Sequence, residues 1–281
     1  MGDLKNREEA LFGKVPPPPK KSFMANLGKE KDDKIKEFRG VVDSWKDGYD
    51  KHVQDFLSDA TLFRYLDGFQ WDINTANEKI KATAEWRQKE RPQDIRLKDL
   101  KELGESGFIV HHGFDKYGRP IMYVNFGKDQ LEVNEETNKL RKLAILYYVE
   151  KCTSRMPENV YQITWICDLK DANISLAMVK GLLPSMLLLG EHCAERLSVA
   201  IVCNASWTLS MCWSFASPFL NQQTLDRYTV TRESGEEVKA IITKYVDEDE
   251  LLKGFGGKND FKYDHKAIIA LEEEQDKQQK E

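Results

Sequence analysis

Two nearly continuous apolar stretches constrain the fold of this chain more than any other feature. Residues 161–167 are rich in β-branched and aromatic side chains, and residues 197–203 are apolar almost without alternation. Strands of this kind are usually buried on both faces, as in parallel sheets covered by helices. Between them, residues 176–189 have the apolar content of a helix that Pro184 interrupts. This strand–helix–strand order predicts an α/β layer with right-handed crossovers.

A hairpin and a short additional strand extend the predicted sheet. Residues 108–112 and 121–124 have strand-like composition, and the segment Asp115–Pro120 between them supplies turn residues. A third short strand is predicted at Tyr228–Val230, after the two apolar stretches. We therefore expect a mostly parallel sheet with one antiparallel hairpin at its beginning.

The segments outside the sheet are predicted to be helical. Residues 33–90 repeat apolar side chains every three or four positions, which indicates a small helical lobe. Within this lobe Asp72 is placed to cap a helix over residues 73–86. Two more helices are expected over residues 137–156 and 236–246.

Composition divides the chain into four parts. The four consecutive prolines Pro16–Pro19 indicate an extended polyproline segment. We expect a flexible Pro-rich tail over residues 1–30 and a helical lobe over 31–95. The α/β domain is expected over 96–261, followed by a charged C-terminal tail over 262–281.

Charge and cysteine content narrow the functional classes. The net charge of −5 argues against nucleic acid as a partner. No run of 18 apolar residues is present, so a transmembrane helix is not expected. The five cysteines form no C-x-x-C pair and follow no apolar signal segment, which favours reduced thiols in the cytoplasm.

No catalytic or metal site is predicted. The chain lacks the motifs of phosphate-binding loops, dinucleotide-binding folds, zinc proteases and serine hydrolases. His111 and His112 are adjacent, so on a strand they point to opposite faces and cannot share a metal ion. We expect neither an enzyme nor a cofactor.

Residues 207–219 form the most unusual apolar segment. On a helical wheel its large side chains cover nearly the whole circumference, so the helix is either buried or faces something apolar. One interpretation is an ordinary core helix. The other is a helix that lines an apolar cavity on one side and touches a membrane on the other. The residues concerned are Trp207, Met211, Trp213, Phe215 and Phe219.

Several short motifs follow one another in order between residues 61 and 257. They are Thr61–Leu66, Trp71–Asp72, Trp86–Arg87, Asp115–Pro120, Asp168–Lys170, Glu195–Leu197 with Val202–Ala205, Pro218–Asn221 with Thr224 and Arg227, and Leu252–Gly257. In this order they resemble the CRAL-TRIO domain of the Sec-fourteen-like phosphatidylinositol/phosphatidylcholine transfer proteins.

The resemblance implies a β-sheet floor under an apolar cavity that holds one lipid. A mobile gate helix and loop would close it, here from Trp207 to about Tyr228. In family members that bind phosphatidylinositol, a glutamate, a threonine and a cation contact the headgroup. These roles fall on Glu195, Thr224 and Arg227.

Other headgroup positions depart from the family pattern. The family has tyrosine where His111 and Met122 stand and serine where Asn173 stands, whereas Ser175 remains hydroxylic. A cation expected near the helical lobe is replaced by Gln70. Phosphatidylcholine binding is therefore not expected. His111 and Ser175 stay candidates, since His111 could donate to a phosphate.

The sequence thus predicts a monomeric cytoplasmic carrier of phosphatidylinositol that visits membrane surfaces transiently. Moving about 30 methylenes into water would cost on the order of 25 kcal/mol, so release must be exchange at a membrane. One alternative is a carrier of another apolar ligand, such as a sterol or a tocopherol-like or retinoid-like molecule. Another is a lipid-sensing regulatory protein that recruits a protein partner through the Pro16–Pro19 tail.

Overall fold

A five-stranded sheet forms the centre of the computed structural model, which describes residues 2–20, 27–207, 213–215, 217–219 and 222–278. The strands are β1 (Ile109–Phe114), β2 (Pro120–Asn125), β3 (Ile163–Asp168), β4 (Leu197–Cys203) and β5 (Tyr228–Val230). They lie in the order β1-β2-β3-β4-β5; the first pair is antiparallel and the others are parallel. The predicted hairpin and the mostly parallel sheet are confirmed.

The helical lobe has its own small core. Its helices are α2 (Lys29–Asp43), α3 (Lys51–Phe56), α4 (Asp59–Gly68) and α5 (Ile73–Glu90). Phe38, Leu62 and Ile80 are fully buried between them. The predicted cap of α5 is present, because the Asp72 carboxylate accepts a hydrogen bond of 2.7 Å from the Thr75 amide.

Further helices surround the sheet. They are α6 (Lys101–Ser106), α7 (Glu135–Ser154), α8 (Leu176–His192), α9 (Gln222–Leu225), α10 (Glu236–Ile242) and α11 (His265–Gln278). Helix α8 continues through Pro184, and α10 ends four residues earlier than predicted. None of the helices in the described part of the chain is long and apolar enough to cross a bilayer.

The two faces of the sheet are covered differently. On one face Ile121, Ile166 and Ile201 pack against Val238 and Ile242 of α10 in a close-packed core. Alternate residues of the same strands point to the other face, which α7 and α8 cover. The second face holds the cavities described below.

The prediction of a flexible tail is wrong for the first residues, which form helix α1 (Gly2–Phe12). Phe12 is only 1% exposed, and its ring stacks on His111 at a centroid distance of 5.8 Å. Arg155 donates a hydrogen bond of 2.5 Å to the Gly13 carbonyl and pairs with Glu8 at 2.9 Å. Burial of one aromatic ring and these polar contacts hold α1 against β1.

The prolines after α1 follow the protein surface. Pro16 and Pro19 are half-buried, whereas Pro17 and Pro18 are exposed. Polyproline helices have three residues per turn, so the first and the last proline lie on the same edge. This edge lines a cleft beside the β1–β2 turn at Gly118.

The charged C-terminal tail expected over residues 262–281 contains a helix, and this helix is docked on the domain. Helix α11 buries Ile268 and Leu271, and its Glu272 is 6% exposed. The Glu272 carboxylate accepts hydrogen bonds from the Leu97 amide at 3.0 Å and the Tyr147 hydroxyl at 2.8 Å. Although the segment is rich in charged residues, its helix has an apolar side that packs against the rest of the protein.

Candidate functional site

Two adjoining cavities lie on the face of the sheet that α7 and α8 cover, which we call the hollow face. We call the first the apolar chamber; it has a volume of about 150 Å³. Its lining comes from the carboxyl-terminal parts of the strands and from α8. The side chains that define it include Val124, Cys167, Val202, Val230, Leu182 and Trp213.

The second cavity, which we call the polar chamber, has a volume of about 360 Å³. It lies at the opposite ends of the strands, near the segment that joins α8 to β4. The side chains that define it include Ile163, Leu197, Glu195, Arg196, Thr224 and Arg227. A space with one apolar and one charged end is suited to an amphiphile.

Strand alternation explains this arrangement. Ile163, Trp165 and Cys167 of β3 point to the same face because side chains alternate along a strand. Ile163 lines the polar chamber, Cys167 lines the apolar chamber, and Trp165 between them lines both. The chambers are therefore successive spaces along the same strands.

The three predicted headgroup residues lie together at the polar chamber. Arg227 forms an ion pair with Glu195 and donates a second hydrogen bond of 2.8 Å to the Leu197 carbonyl. Gln223 donates to the other Glu195 oxygen at 2.9 Å. Thr224, one turn of chain before Arg227, lines the same chamber. The fold thus brings the segment before β4 and the segment after α9 together around one charge pair.

Helix α4 closes the outer side of this charge pair. Gly68 stands where α4 approaches Glu195, and a Cβ atom at Gly68 would lie 3.3 Å from the Glu195 Cγ. A side chain at that position would press on the carboxylate arm. The glycine therefore permits the close approach of α4 to Glu195.

Arg196 is a site residue that the sequence interpretation missed. It lines the polar chamber and donates a hydrogen bond of 2.9 Å to the Tyr161 carbonyl. Burial and the charge on Arg64 lower the pKa of Arg196 to about 9, so the guanidinium stays protonated at neutral pH. Its position directly after Glu195 and before an apolar strand is the sequence signal that could have identified it.

His111 lies outside both chambers, contrary to the expectation that it faces a phosphate. Its Nδ1 is 2.9 Å from the Ile121 carbonyl oxygen, and Phe12 stacks on the ring. Burial lowers the pKa of His111 to about 3, which keeps the imidazole neutral at physiological pH. A neutral histidine covered by α1 is a core residue.

Ser175 also lies outside both chambers. Its hydroxyl accepts a hydrogen bond of 3.2 Å from the Met178 amide and caps the amino end of α8. Serine is favoured at this position because it satisfies an amide that the helix leaves unpaired. The hydroxyl that the resemblance assigned to a headgroup thus stabilises the helix that covers the sheet.

The predicted gate residues divide between the chambers and the surface. Trp213 lines the apolar chamber, with its ring centroid 5.0 Å from that of Tyr228. Phe219 lines the polar chamber and is 52% exposed, and the Phe215 ring lies 5.8 Å from it. Trp213 and Phe219 border the cavities and Phe215 adjoins Phe219, whereas a role for the three as a gate stays a prediction.

Trp207 behaves differently from the other gate residues. It is 74% exposed, and the Arg232 guanidinium lies 4.9 Å above its ring. It lines neither chamber, so it belongs to the outer surface. Met211 lies outside the described residues.

The side chains around the chambers are mainly apolar, with charged groups at one end. Among the described residues, no group of three His, Cys, Asp or Glu side chains is placed to hold a metal ion. The buried thiol of Cys167 has its pKa raised to about 12 by burial, so it is not a nucleophile at neutral pH. The apolar lining and the charged end together fit an amphiphilic ligand.

Comparison with known proteins agrees with this geometry. The family model described as "CRAL/TRIO domain" matches residues 104–257. A CRAL-TRIO domain-containing protein of Schizosaccharomyces pombe is 26% identical over 75% of this chain, which spans only 20% of that protein. The SEC14 cytosolic factor of Yarrowia lipolytica is 25% identical over 89% of this chain, which spans 52% of it. A CRAL-TRIO domain-containing protein of Saccharomyces cerevisiae is 23% identical over 83% of this chain, and the match covers 79% of that protein.

A solved structure has the same fold. The crystal structure of Sfh5 superposes with a TM-score of 0.65 over 91% of this chain and 100% of that one. The sequences are 12% identical, so this likeness concerns the fold alone.

Proposed function

This chain belongs to the CRAL/TRIO domain family, and on that premise we propose that it carries a single membrane lipid and exchanges it at membrane surfaces. The observation that carries the proposal is the pair of adjoining chambers, one apolar and one with charged side chains at its end. A lipid would place its tail over Val202 and its headgroup beside Arg227.

The charged end favours a phosphoinositol headgroup, with phosphatidylinositol as the first lipid to test. Arg227 and Arg196 supply two guanidinium groups that can donate to a phosphate. Glu195 is an acceptor for the hydroxyl groups of a sugar-like ring. Binding would replace the ion pair between Arg227 and Glu195 with contacts to the phosphate and to the ring.

Exchange at a membrane is the only release step that the energetics allow. Moving a single chain of about 16 methylenes into water would cost about 13 kcal/mol. When one lipid leaves as another enters, the apolar surface stays covered and the net free energy is small. We propose that the protein acts as a monomer in the cytoplasm and contacts membranes only transiently, without covalent chemistry. The exposed Phe219 beside the polar chamber is placed for that contact.

A second candidate is a carrier of a more apolar ligand, such as a sterol. It is favoured by Gln70, which stands where the family has a cation, and by the acidic neighbour Asp67. A lipid-sensing role in which Pro16–Pro19 recruits a protein partner is the remaining alternative; Pro17 and Pro18 are exposed to solvent.

Substitution of Arg227 tests the proposed headgroup site. We expect Arg227→Ala to lower phosphatidylinositol transfer between liposomes at least tenfold, because a charge-assisted hydrogen bond is worth roughly 1.5–3 kcal/mol. Lys244→Ala is the matched control, since Lys244 is an exposed cation in the turn after α10. Fluorescence transfer assays and thermal unfolding of both variants make the measurement. Transfer by Arg227→Ala at the rate of the control would contradict the assignment.

A further inference from the structure

Four consecutive prolines follow α1, and they line neither of the two chambers. Each proline ring fixes its own φ at about −65° and keeps the residue before it extended. The run Pro16–Pro19 therefore holds a polyproline helix without help from the rest of the protein. A segment that is already ordered loses little conformational entropy when a partner binds it.

This polyproline helix has one covered edge. Pro16 and Pro19 are half-buried, whereas Pro17 and Pro18 are exposed. A repeat of three residues per turn produces this pattern when one edge of the helix rests on a surface. The two rings of the spacing P-x-x-P are therefore the ones that the protein covers.

The covered edge rests on the turn between β1 and β2. A Cβ atom at Gly118 would lie 3.6 Å from the Pro16 Cγ. Side-chain atoms of Pro157 and Val160 lie at the same distance from that position. The cleft that Pro16 and Pro19 line has a volume of about 650 Å³, so the rings border this cleft without filling it. The contact is small, and it can open without disturbing a packed core.

Cations flank the prolines on both sides. Lys14 precedes them, and Lys20 and Lys21 follow them directly. Lys14 and Lys20 are exposed. Val15, next to the first proline, is 37% exposed although its side chain is apolar. A partner that is complementary to this segment has an apolar groove with acidic side chains at its ends.

We propose that Pro16–Pro19 is a docking segment for a polyproline-binding module of the SH3 type, and that the protein's own surface masks it. The aromatic grooves of such modules recognise the spacing P-x-x-P. Because Pro16 and Pro19 rest on the turn at Gly118, the module and the turn compete for the same two rings. The partner binds only molecules in which the prolines have lifted off. This inference goes beyond lipid binding and does not depend on which lipid the chambers hold.

Binding of purified SH3 domains with acidic specificity pockets tests this proposal. Titration calorimetry measures their affinity for the full chain and for a synthetic peptide of residues 13–21. We expect the full chain to bind at least about tenfold more weakly than the peptide, because the apparent affinity falls with the fraction of molecules that are competent to bind. Pro16→Ala combined with Pro19→Ala should abolish binding of both the chain and the peptide.

Variants of the covering surface decide whether masking is the cause. Val160→Lys places a cation beside Pro16 and near the flanking lysines. We expect it to raise the affinity of the full chain to within about threefold of the peptide. Val133→Lys is the matched control, since it makes the same exchange at an exposed valine that does not line the cleft. Thermal unfolding checks that both variants are folded.

Several results would overturn the inference. If no SH3 domain binds the peptide, or if the double proline variant binds equally well, the segment is not a polyproline ligand. If the unsubstituted chain binds as tightly as the peptide, or if Val160→Lys binds no better than Val133→Lys, the covered edge is not masked. Transfer of phosphatidylinositol between liposomes by the same proteins tests the carrier function separately.

Discussion

The two faces of the central sheet have the same kind of residues but opposite packing. On the face toward α10, Ile166 and Ile201 are fully buried in a close-packed core. On the face toward α8, Cys167 and Val202 border the apolar chamber. Neighbouring residues of the same strands thus pack in a core on one side and line a cavity on the other.

This difference shows how a sheet can support a cavity. A cavity removes dispersion contacts and weakens the fold around it. Here the close-packed core under α10, together with the hydrogen bonds of the sheet, holds the strands in place. The core under α10 thus supports the strands whose opposite side chains border the chambers.

The largest predicted effect separates the two faces directly. Ile201→Ala should lower the free energy of unfolding by about 3 kcal/mol, because it leaves a void in a packed core. Val202→Ala, at the next position in β4, should lower it by about 1 kcal/mol, since its methyl groups already border a void. Urea unfolding of both variants measures the difference. Equal losses would show that the hollow face contributes as much stability as the packed face.

A second prediction concerns His111, where α1 closes the edge of the hollow face. The folded-state pKa of about 3 lies below the ordinary value of 6.5. The unfolded chain therefore binds the proton more readily, so this stabilisation is complete above pH 6.5 and is lost as the pH falls below it. Between pH 7 and pH 5.5 the loss from this residue is about 1 kcal/mol.

Comparison with a variant that lacks His111 isolates that contribution. We expect the unfolding free energy of His111→Gln to fall less steeply over this pH range than that of the unsubstituted protein. His112 and His192 contribute to the pH dependence that remains in the variant, because burial also lowers their pKa values. Identical slopes for the two proteins would mean that His111 becomes protonated without unfolding.

The smallest predicted effect is on the stability of a variant at Trp165, whose side chain lines both chambers. Truncation of a tryptophan in a packed core costs roughly 3–5 kcal/mol. We expect Trp165→Val to change the free energy of unfolding by less than about 1 kcal/mol, because its ring borders space on two sides. Thermal and urea unfolding make the check. A loss as large as that of Ile201→Ala would show that the indole is a structural core residue.

Much of the architecture followed from local patterns. The apolar stretches became β3 and β4, the turn residues at Asp115–Pro120 joined the hairpin, and Asp72 capped α5. The docking of α1 was missed because its anchor is the single residue Phe12, whose partners are far away in the chain. A long-range contact of this kind leaves no periodic signal in eleven residues.

Motif order placed some candidate residues beside a cavity and others away from both. It suggested Glu195, Thr224 and Arg227 as headgroup residues, and the fold brings them together at the polar chamber, while their role stays a prediction. The same reasoning placed His111 and Ser175 at the headgroup, whereas the structure gives them roles in the core and at a helix end. Whether a strand residue reaches the cavity depends on what covers it.

The amino-acid order by itself determined which segments become strands and helices, since hydrophobic periodicity, turns and caps act over a few residues. It also determined the apolar character of both sheet faces. Only the tertiary structure decided which face is close-packed and which borders cavities. The filling of each face depends on the positions of α8 and α10, which are determined by packing between segments that are distant in the sequence.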